Sequence, residues 1–169
     1  NQFVGCDIGY AGLCGVYVDH GSTRMVACKS WYSGQLNQAQ RYGFWLRWAQ
    51  LDYAVGVSLS SCEAQDNRGS GFVLDGAQHC ALEGCVADSN AGVGFDFYNA
   101  SKCMIRGLAR TRSGSIQVQS YALRMRANSI NNMVQLISTH APTSPLEPSS
   151  EGYADNLFTV IHNGAQWGI

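Results

Sequence analysis

The chain has 169 residues, a formal net charge of −1 at pH 7, and 46% hydrophobic against 14% charged residues. The chain has no excess of Lys and Arg of the kind that binds nucleic-acid phosphates, so no nucleic-acid partner is expected. The sequence contains no run of 18 apolar residues, so membrane insertion through a transmembrane helix is not expected either.

A repeated pentad, in which a glycine is followed by alternating apolar residues, organises the chain. It occurs as GVYVD at 15–19, GFWLR at 43–47, GFVLD at 71–75 and GFDFY at 94–98. A repeat of about two dozen residues with one strand per repeat is typical of a solenoid of stacked coils. Insertions at 35–42 and near 48–53 should emerge as loops on one face.

Cysteines recur in step with the pentads. Cys6, Cys62 and Cys85 each stand nine residues before a pentad glycine, and Cys28 joins them if 35–42 is an insertion. The intervals are 22, 34 and 23 residues, and a further 23 residues reach Leu108. Cys80 and Cys103 form a second pair 23 residues apart. Because free cysteine is among the most buried residue types, these columns predict buried, unbridged thiols stacked inside the coils. The alternative is an oxidised disulfide framework.

The titratable residues form no metal motif. The cysteine count of seven is odd and includes no CxxC, and the four histidines show no paired spacing. No metal and no cofactor are therefore expected.

The pentads and the stacked columns resemble the right-handed parallel β-helix of the pectate-lyase-like superfamily, and among its members they look most like bacteriophage tailspikes. The resemblance implies an all-β solenoid with coils of about 22–28 residues over residues 1–140. Such coils usually carry Asn in a ladder at the turn, and the spacing here puts Cys at that place. Residues 141–169 are expected to form an irregular connector and a terminal strand, which is a cap, a further coil or a trimerising region. The start, without Met or signal peptide, favours a fragment of a larger protein.

Side chains alternate across a strand, so each pentad should present one apolar face to the interior and a second face outwards. The predicted interior residues are Val16, Phe44, Phe72, Phe95, Val18, Leu46, Leu74 and Phe97. The opposite face then carries two solvent-facing rows, one of Tyr17, Trp45, Val73 and Asp96, the other of Asp19, Arg47, Asp75 and Tyr98.

This outward strip has the chemistry of a sugar-binding surface. Aromatic faces stack on the C–H surfaces of pyranose rings, while carboxylates and guanidinium groups hydrogen-bond to hydroxyls. The predicted substrate-binding residues are Tyr17, Asp19, Trp45, Arg47, Trp48 and Tyr98. The alternative is that these residues are an ordinary solvated surface, since isolated exposed aromatics are common.

Two carboxylates on this strip are candidates for glycoside hydrolysis. Asp75 and Asp96 fall on adjacent coils two positions apart, which places their Cα atoms roughly 8 Å from each other. This separation suits an inverting glycosidase better than a retaining one. Asp75 is expected to be the acid, because the adjacent ring of Tyr98 disfavours its charged form, and Asp96 the base.

The tailspike resemblance implies a homotrimer on a virion tail that is synthesised in the host cytoplasm and binds, or hydrolyses as an endoglycosidase, a bacterial capsule or O-antigen polysaccharide. Synthesis in a reducing cytoplasm agrees with free thiols. Two alternatives stay open, a non-catalytic shaft or adhesin and a polysaccharide lyase or epimerase. Arg47 beside Asp75 and Asp19 offers the lyase a partial match.

Overall fold

The computed structural model describes residues 1–36, 39–47, 55–126, 128–139, 144–148 and 153–163, together with the backbone of 165–168. Over these residues the protein is an all-β solenoid of about six turns without helices. The predicted parallel β-helix is therefore confirmed. The expected insertion at 48–53 lies outside the described residues, as does most of the connector at 141–152.

Each coil supplies strands to two sheets. The first coil contains β1 (Gln2–Val4), β2 (Asp7–Gly9) and β3 (Val16–Val18), the second β4 (Arg24–Val26), β5 (Lys29–Trp31) and β6 (Phe44–Arg47), and the third β7 (Ser58–Ser60), β8 (Glu63–Gln65) and β9 (Phe72–Asp75). The fourth contains β10 (Ala81–Asp88) and β11 (Val93–Tyr98), and the fifth β12 (Met104–Arg110) and β13 (Tyr121–Met125). The chain continues with β14 (Met133–Thr139), β15 (Leu157–His162) and β16 (Ala165–Gly168).

Sheet B is formed by β3, β6, β9, β11 and β13, all paired in parallel. The remaining strands form sheet A, which is parallel except where β15 meets β16. Since β15 pairs in parallel with β14, the solenoid continues beyond residue 140, and the β15–β16 hairpin follows it.

The core is built from interior rows that run along the solenoid axis. Val16, Phe44, Phe72, Phe95 and Leu123 are in register, and all are buried. The ring of Phe72 stacks between those of Phe44 and Phe95, with centroids 4.9 and 5.1 Å apart and interplanar angles of 15° and 9°. The second row, Val18, Leu46, Leu74, Phe97 and Met125, is also buried. Both predicted rows are confirmed.

A ladder of buried amides links the coils at the turn before sheet B. Asn67 donates from Nδ2 to Oδ1 of Asn90 at 2.9 Å, and Nδ2 of Asn90 lies 3.4 Å from Oε1 of Gln119. A second ladder joins Nδ2 of Asn132 to Oδ1 of Asn156 at 2.8 Å. The expectation that Cys occupies an amide position is wrong for the column of Cys28, Cys62 and Cys85, which is separate from Asn67 and Asn90. It is right for Cys103, which lies opposite Asn132 and donates its backbone N–H to Oδ1 of that residue.

The amide ladder explains the pentad glycines. A Cβ at Gly71 would lie 2.8 Å from Nδ2 of Asn90 and 2.9 Å from the carbonyl oxygen of Gly94, and Gly43 is equally tight against Asn67. The register places Ala122 opposite Gly94, where Gln119 ends this run of amides. The glycine signal thus disappears in the fifth coil although the strand continues.

The column of Cys28, Cys62 and Cys85 also departs from the predicted sequence interval at one coil. Cys85 is opposite Gly107, one residue before the predicted Leu108. Each of the four earlier coils turns within sheet A through one left-handed residue. Gly5, Ala27 and Ser61 lie between two strands, and Gly84 lies within β10. Strand β12 has no left-handed residue at this corner. The pairing of β10 with β12 therefore shifts beside Gly84, and the interval from Cys85 to its partner is one residue shorter than predicted.

Cys28, Cys62 and Cys85 are expected to react with a thiol reagent more slowly than Cys6, by on the order of tenfold or more. All three are buried and unbridged, as predicted, whereas Cys6 is half-buried. Burial raises the pKa of Cys28, and the adjacent Cys62 thiol together with burial raises that of Cys85. The hydrogen bond with Cys85 lowers the pKa of Cys62 to about 7, so the slow reaction expected of Cys62 rests on its burial. Mass spectrometry of the native protein after timed alkylation measures the rates. Modification of Cys62 or Cys85 as fast as Cys6 would contradict the buried column.

Candidate functional site

The outer face of sheet B carries the two predicted rows in register. The first row is Tyr17, Trp45, Val73, Asp96 and Arg124, and the second contains Arg47, Asp75 and Tyr98. Asp19 and Arg126 follow directly after the last paired residues of their strands, Val18 and Met125. The alignment of seven of the eight predicted residues is confirmed, and Asp19 lies one residue beyond the last pair of its strand. Each row is extended in the fifth coil by an arginine that the glycine-based repeat did not locate.

Trp45 is the centre of an aromatic cluster on this face. Its ring lies 5.0 Å from that of Tyr17 and 5.6 Å from that of Tyr42, measured between centroids. The guanidinium of Arg47 lies 4.9 Å from the ring centroid, a cation–π distance. The indole Nε1 donates to Oδ2 of Asp75 at 3.3 Å. The indole is thus held in one orientation by contacts from three neighbouring coils.

Asp96 is the centre of an ion cluster at the other end of the face. Its Oδ1 accepts from Nε of Arg124 at 2.9 Å and from Nε of Arg126 at 3.2 Å. Its Oδ2 accepts from Nη2 of both arginines, at 2.7 Å from Arg126. Two guanidinium forks therefore saturate one carboxylate whose residue has an exposed fraction of 0%.

The expectation that the whole first row faces solvent is wrong for Val73 and Asp96, which are both buried. The half-buried phenol of Tyr42, at the end of the insertion expected to bulge outwards, belongs to this face. Burial and the charge of Asp96 raise the pKa of Tyr42. The outer face is therefore partly covered.

The geometry does not favour Asp96 as a catalytic base. A general base needs a lone pair within hydrogen-bond reach of the proton that it removes. Both oxygens of Asp96 are engaged by arginines and the side chain has no exposed area. The roles of Asp75 as acid and Asp96 as base stay predictions, and the structure describes Asp96 as part of a structural ion cluster.

The other predicted residues of this face differ in their exposure and contacts. Asp75 is half-buried between Trp45 and Arg47, whose Nε lies 3.8 Å from its Oδ2, and Tyr98 sits beside it in the same row. Tyr98 is 43% exposed, and the Arg126 guanidinium lies 5.7 Å from its ring centroid. A hydrogen bond from His20 lowers the pKa of Asp19. Trp48 lies outside the described residues.

Three contributors were missed in the sequence, namely Tyr42, Arg124 and Arg126. The alternation of YALRM at 121–125 was visible, and continuing the outward row into it would have located Arg124. The position of Tyr42 depends on the path of an insertion, for which a strand repeat carries no information.

A cavity of about 500 Å³ opens beside Tyr17 and Asp19 at the first coil. Phe3, Ile8 and Val16 line it, so it is the exposed end of the interior rows rather than a part of the outer face of sheet B.

Comparison of the chain with protein-family models, with curated proteins and with solved structures finds no match. Among the residues that the structure describes, no group of three or more His, Cys, Asp or Glu side chains could hold a metal ion. Within the same part of the chain, no helix is long and apolar enough to cross a membrane.

Proposed function

We propose that the outer face of sheet B binds a polysaccharide, with Trp45 as its central stacking residue. The observation that carries the proposal is the fixed indole of Trp45 between Tyr17, Tyr42 and Arg47, with its N–H held by Asp75. An aromatic side chain that is already ordered loses little conformational entropy on binding. Its apolar ring suits the C–H face of a sugar, while the nearby charged groups suit the hydroxyls.

The length of the face suits an oligosaccharide rather than a single sugar. Tyr17 and Tyr98 are 44% and 43% exposed and lie three coils apart. At a strand spacing of about 4.8 Å, three coils span roughly 14 Å. A polysaccharide lying along the solenoid axis would contact both tyrosines and the Trp45 cluster between them.

A bacterial surface polysaccharide is the proposed ligand, and a tailspike-like host-recognition segment of a bacteriophage, acting outside the cell on a virion tail, is the proposed role. The support is an analogy of fold together with the aromatic strip, and fold alone does not determine function. Binding without hydrolysis in this part of the protein is favoured over the glycosidase, because Asp96 is buried and doubly paired.

Replacing Trp45 by alanine is expected to weaken polysaccharide binding by about tenfold or more, because truncating an aromatic hot spot typically removes about 2 kcal/mol or more of binding energy. Binding would be measured by surface plasmon resonance against immobilised bacterial capsule and O-antigen polysaccharides. Ile130→Ala, an exposed change outside the strands of both sheets, is the control and should leave binding unchanged. Equal affinities of the wild type and Trp45→Ala would overturn the proposal.

A homotrimer is part of the same proposal. The outer face of sheet A carries two apolar rows, Met104–Met133–Leu157 and Leu108–Ile137–Ile161. Leu157 and Ile137 are 59% and 53% exposed, a degree of apolar exposure that often marks an interface. Sedimentation of the longest natural form of the protein is expected to give a trimer. A monomer at micromolar concentration would count against this part of the proposal.

A further inference from the structure

A second concave site lies at another corner of the solenoid. It follows the second strands of sheet A, β5 and β8, where the chain turns towards sheet B, and has a volume of about 390 Å³. We call it the corner pocket. Its lining includes Trp31, Tyr32, Gln65, Asp66, Arg112 and Ser115, with Ile116 beside them.

One wall of the corner pocket is aromatic and preorganised. The rings of Trp31 and Tyr32 are 5.7 Å apart, and Tyr10 stacks on Tyr32 at 5.6 Å with an interplanar angle of 7°. The indole N–H of Trp31 donates to Asp7. Trp31 also lies against Gly9, where a Cβ would come within 2.7 Å of the indole. Contacts on several sides therefore fix the indole before any ligand arrives.

The tyrosines of this wall adopt an unusual backbone conformation. Tyr10 and Tyr32 occupy equivalent corner positions with φ of 57° and 49°. The left-handed region is disfavoured for bulky side chains, and here the coil corner requires it, since each of the first four coils has a left-handed residue at this position. The same corner position is Asp66 in the third coil and Ser89 in the fourth.

The opposite wall is a segment of the fifth coil, residues 111–118, that reaches back over two coils. Arg112 binds Asp66 with Nη2, and Nε of Arg112 lies 3.1 Å from Oδ1 of Asp88. Ser115 donates to Oδ1 of Asp66 at 3.0 Å. Asp66 and Asp88 are 4% and 0% exposed, so buried carboxylates hold this segment in place. Burial opposes ionisation of Asp66, but the hydrogen bonds from Gln65, Arg112 and Ser115 outweigh it and lower its pKa.

We propose that the corner pocket binds one neutral pyranose residue, at a site separate from the outer face of sheet B. The aromatic wall provides a surface for the C–H face of the sugar. Gln65, Arg112 and Ser115 use only part of their hydrogen-bonding capacity on Asp66 and Asp88, and their other N–H hydrogens and oxygen lone pairs suit its hydroxyls. The carboxylates of Asp66 and Asp88 compensate the charge of Arg112. A neutral ligand therefore suits the pocket better than a phosphate or a carboxylate.

The rim of the pocket supports the same inference. Ile116 lines the pocket and is 84% exposed, although it belongs to a segment held firmly by Arg112 and Ser115. An apolar side chain on an ordered segment over an open pocket is placed to contact a ligand. The pocket is large enough for a single sugar, since ligand sites of about 300 Å³ and above hold small molecules.

The proposal is tested by NMR titration of the full chain labelled with ¹⁵N, following the indole N–H resonance of Trp31, which Trp31→Phe assigns. The probes are the methyl glycosides of glucose, galactose, mannose, rhamnose and N-acetylglucosamine, with adenosine and inorganic phosphate for comparison. At least one glycoside is expected to shift the Trp31 resonance saturably. Tyr32→Ala should weaken that binding by about tenfold or more. Gly9→Ala should weaken it too, because the added Cβ displaces the indole without touching the ligand.

Trp45→Phe separates this site from the proposed polysaccharide face. It should leave the Trp31 titration unchanged even if it abolishes binding to sheet B. No shift of Trp31 with any glycoside would overturn the inference. So would a shift with adenosine or phosphate alone, or a titration that Tyr32→Ala leaves unaltered.

Discussion

Replacement of Asp96 by alanine is expected to lower the free energy of unfolding by about 3–5 kcal/mol, the usual cost of removing one partner of a buried ion pair. The carboxylate has an exposed fraction of 0% and is the common acceptor for Arg124 and Arg126. Arg124 also lies between Asp96 and Glu147, whose Oε1 is 3.4 Å from its Nη1. Without Asp96 the two guanidinium groups lose their shared counter-charge and repel each other. Guanidinium chloride unfolding measures the change.

Two further variants test whether the loss of stability comes from the buried charge of Asp96. Asp96→Asn keeps the volume but removes the charge, so it should also destabilise the protein by well over about 1 kcal/mol. Asp19→Ala removes a solvent-accessible carboxylate beside His20 and should leave the denaturant midpoint almost unchanged. If Asp96→Asn unfolded at the wild-type denaturant concentration, the cluster would not be structural, and the predicted catalytic role of Asp96 would regain support.

Replacement of Phe72 by alanine is expected to destabilise the protein by about 3–5 kcal/mol. Phe72 is 1% exposed, and its ring is stacked between those of Phe44 and Phe95, so the cavity would interrupt a continuous row. Neighbouring coils cannot close the gap easily, because the strands on both sides are fixed by the parallel ladder of sheet B.

Phe72→Leu retains much of the volume and should cost clearly less, while Ile116→Ala removes a side chain that is 84% exposed and should have almost no effect. All three are compared by the midpoint of guanidinium chloride unfolding. Equal midpoints for Phe72→Ala and Ile116→Ala would contradict the continuous aromatic row.

The sequence was sufficient to predict the stacking of the coils. A solenoid repeats the same environment in each coil, so Gly71 and Gly94 face equivalent neighbours, and Phe72 and Phe95 pack into the same interior row. Alternation along a strand then determined which face each pentad residue occupies, and the rows from Tyr17 to Asp96 and from Arg47 to Tyr98 align as predicted.

Features that depend on single coils were not predictable in the same way. The amide ladder of Asn67, Asn90 and Gln119 changes residue type and spacing between coils. In the sequence it is therefore less regular, and harder to detect, than the cysteine repeat. The register shift at Gly84 follows from the loss of one corner residue in β12, which a repeat count cannot detect.

The sequence predicted which residues of the candidate site align in rows, but not which of them are exposed to solvent. Whether Asp96 faces water depends on Arg124 and Arg126, which come from a coil without the pentad glycine. The contribution of Tyr42 likewise comes from an insertion rather than from the repeat. The corner pocket requires residues 111–118 to return across two coils to Asp66, a long-range contact that no local pattern indicates.

The most direct test of polysaccharide binding by sheet B is an NMR titration of the ¹⁵N-labelled protein with oligosaccharides from a depolymerised bacterial surface polysaccharide that the protein binds. The side-chain resonances of Trp45 Nε1 and Arg47 Nε are expected to shift together, with backbone changes concentrated in β3, β6, β9 and β11. Shifts that spare these strands and fall on sheet A, while binding persists, would contradict the proposed site.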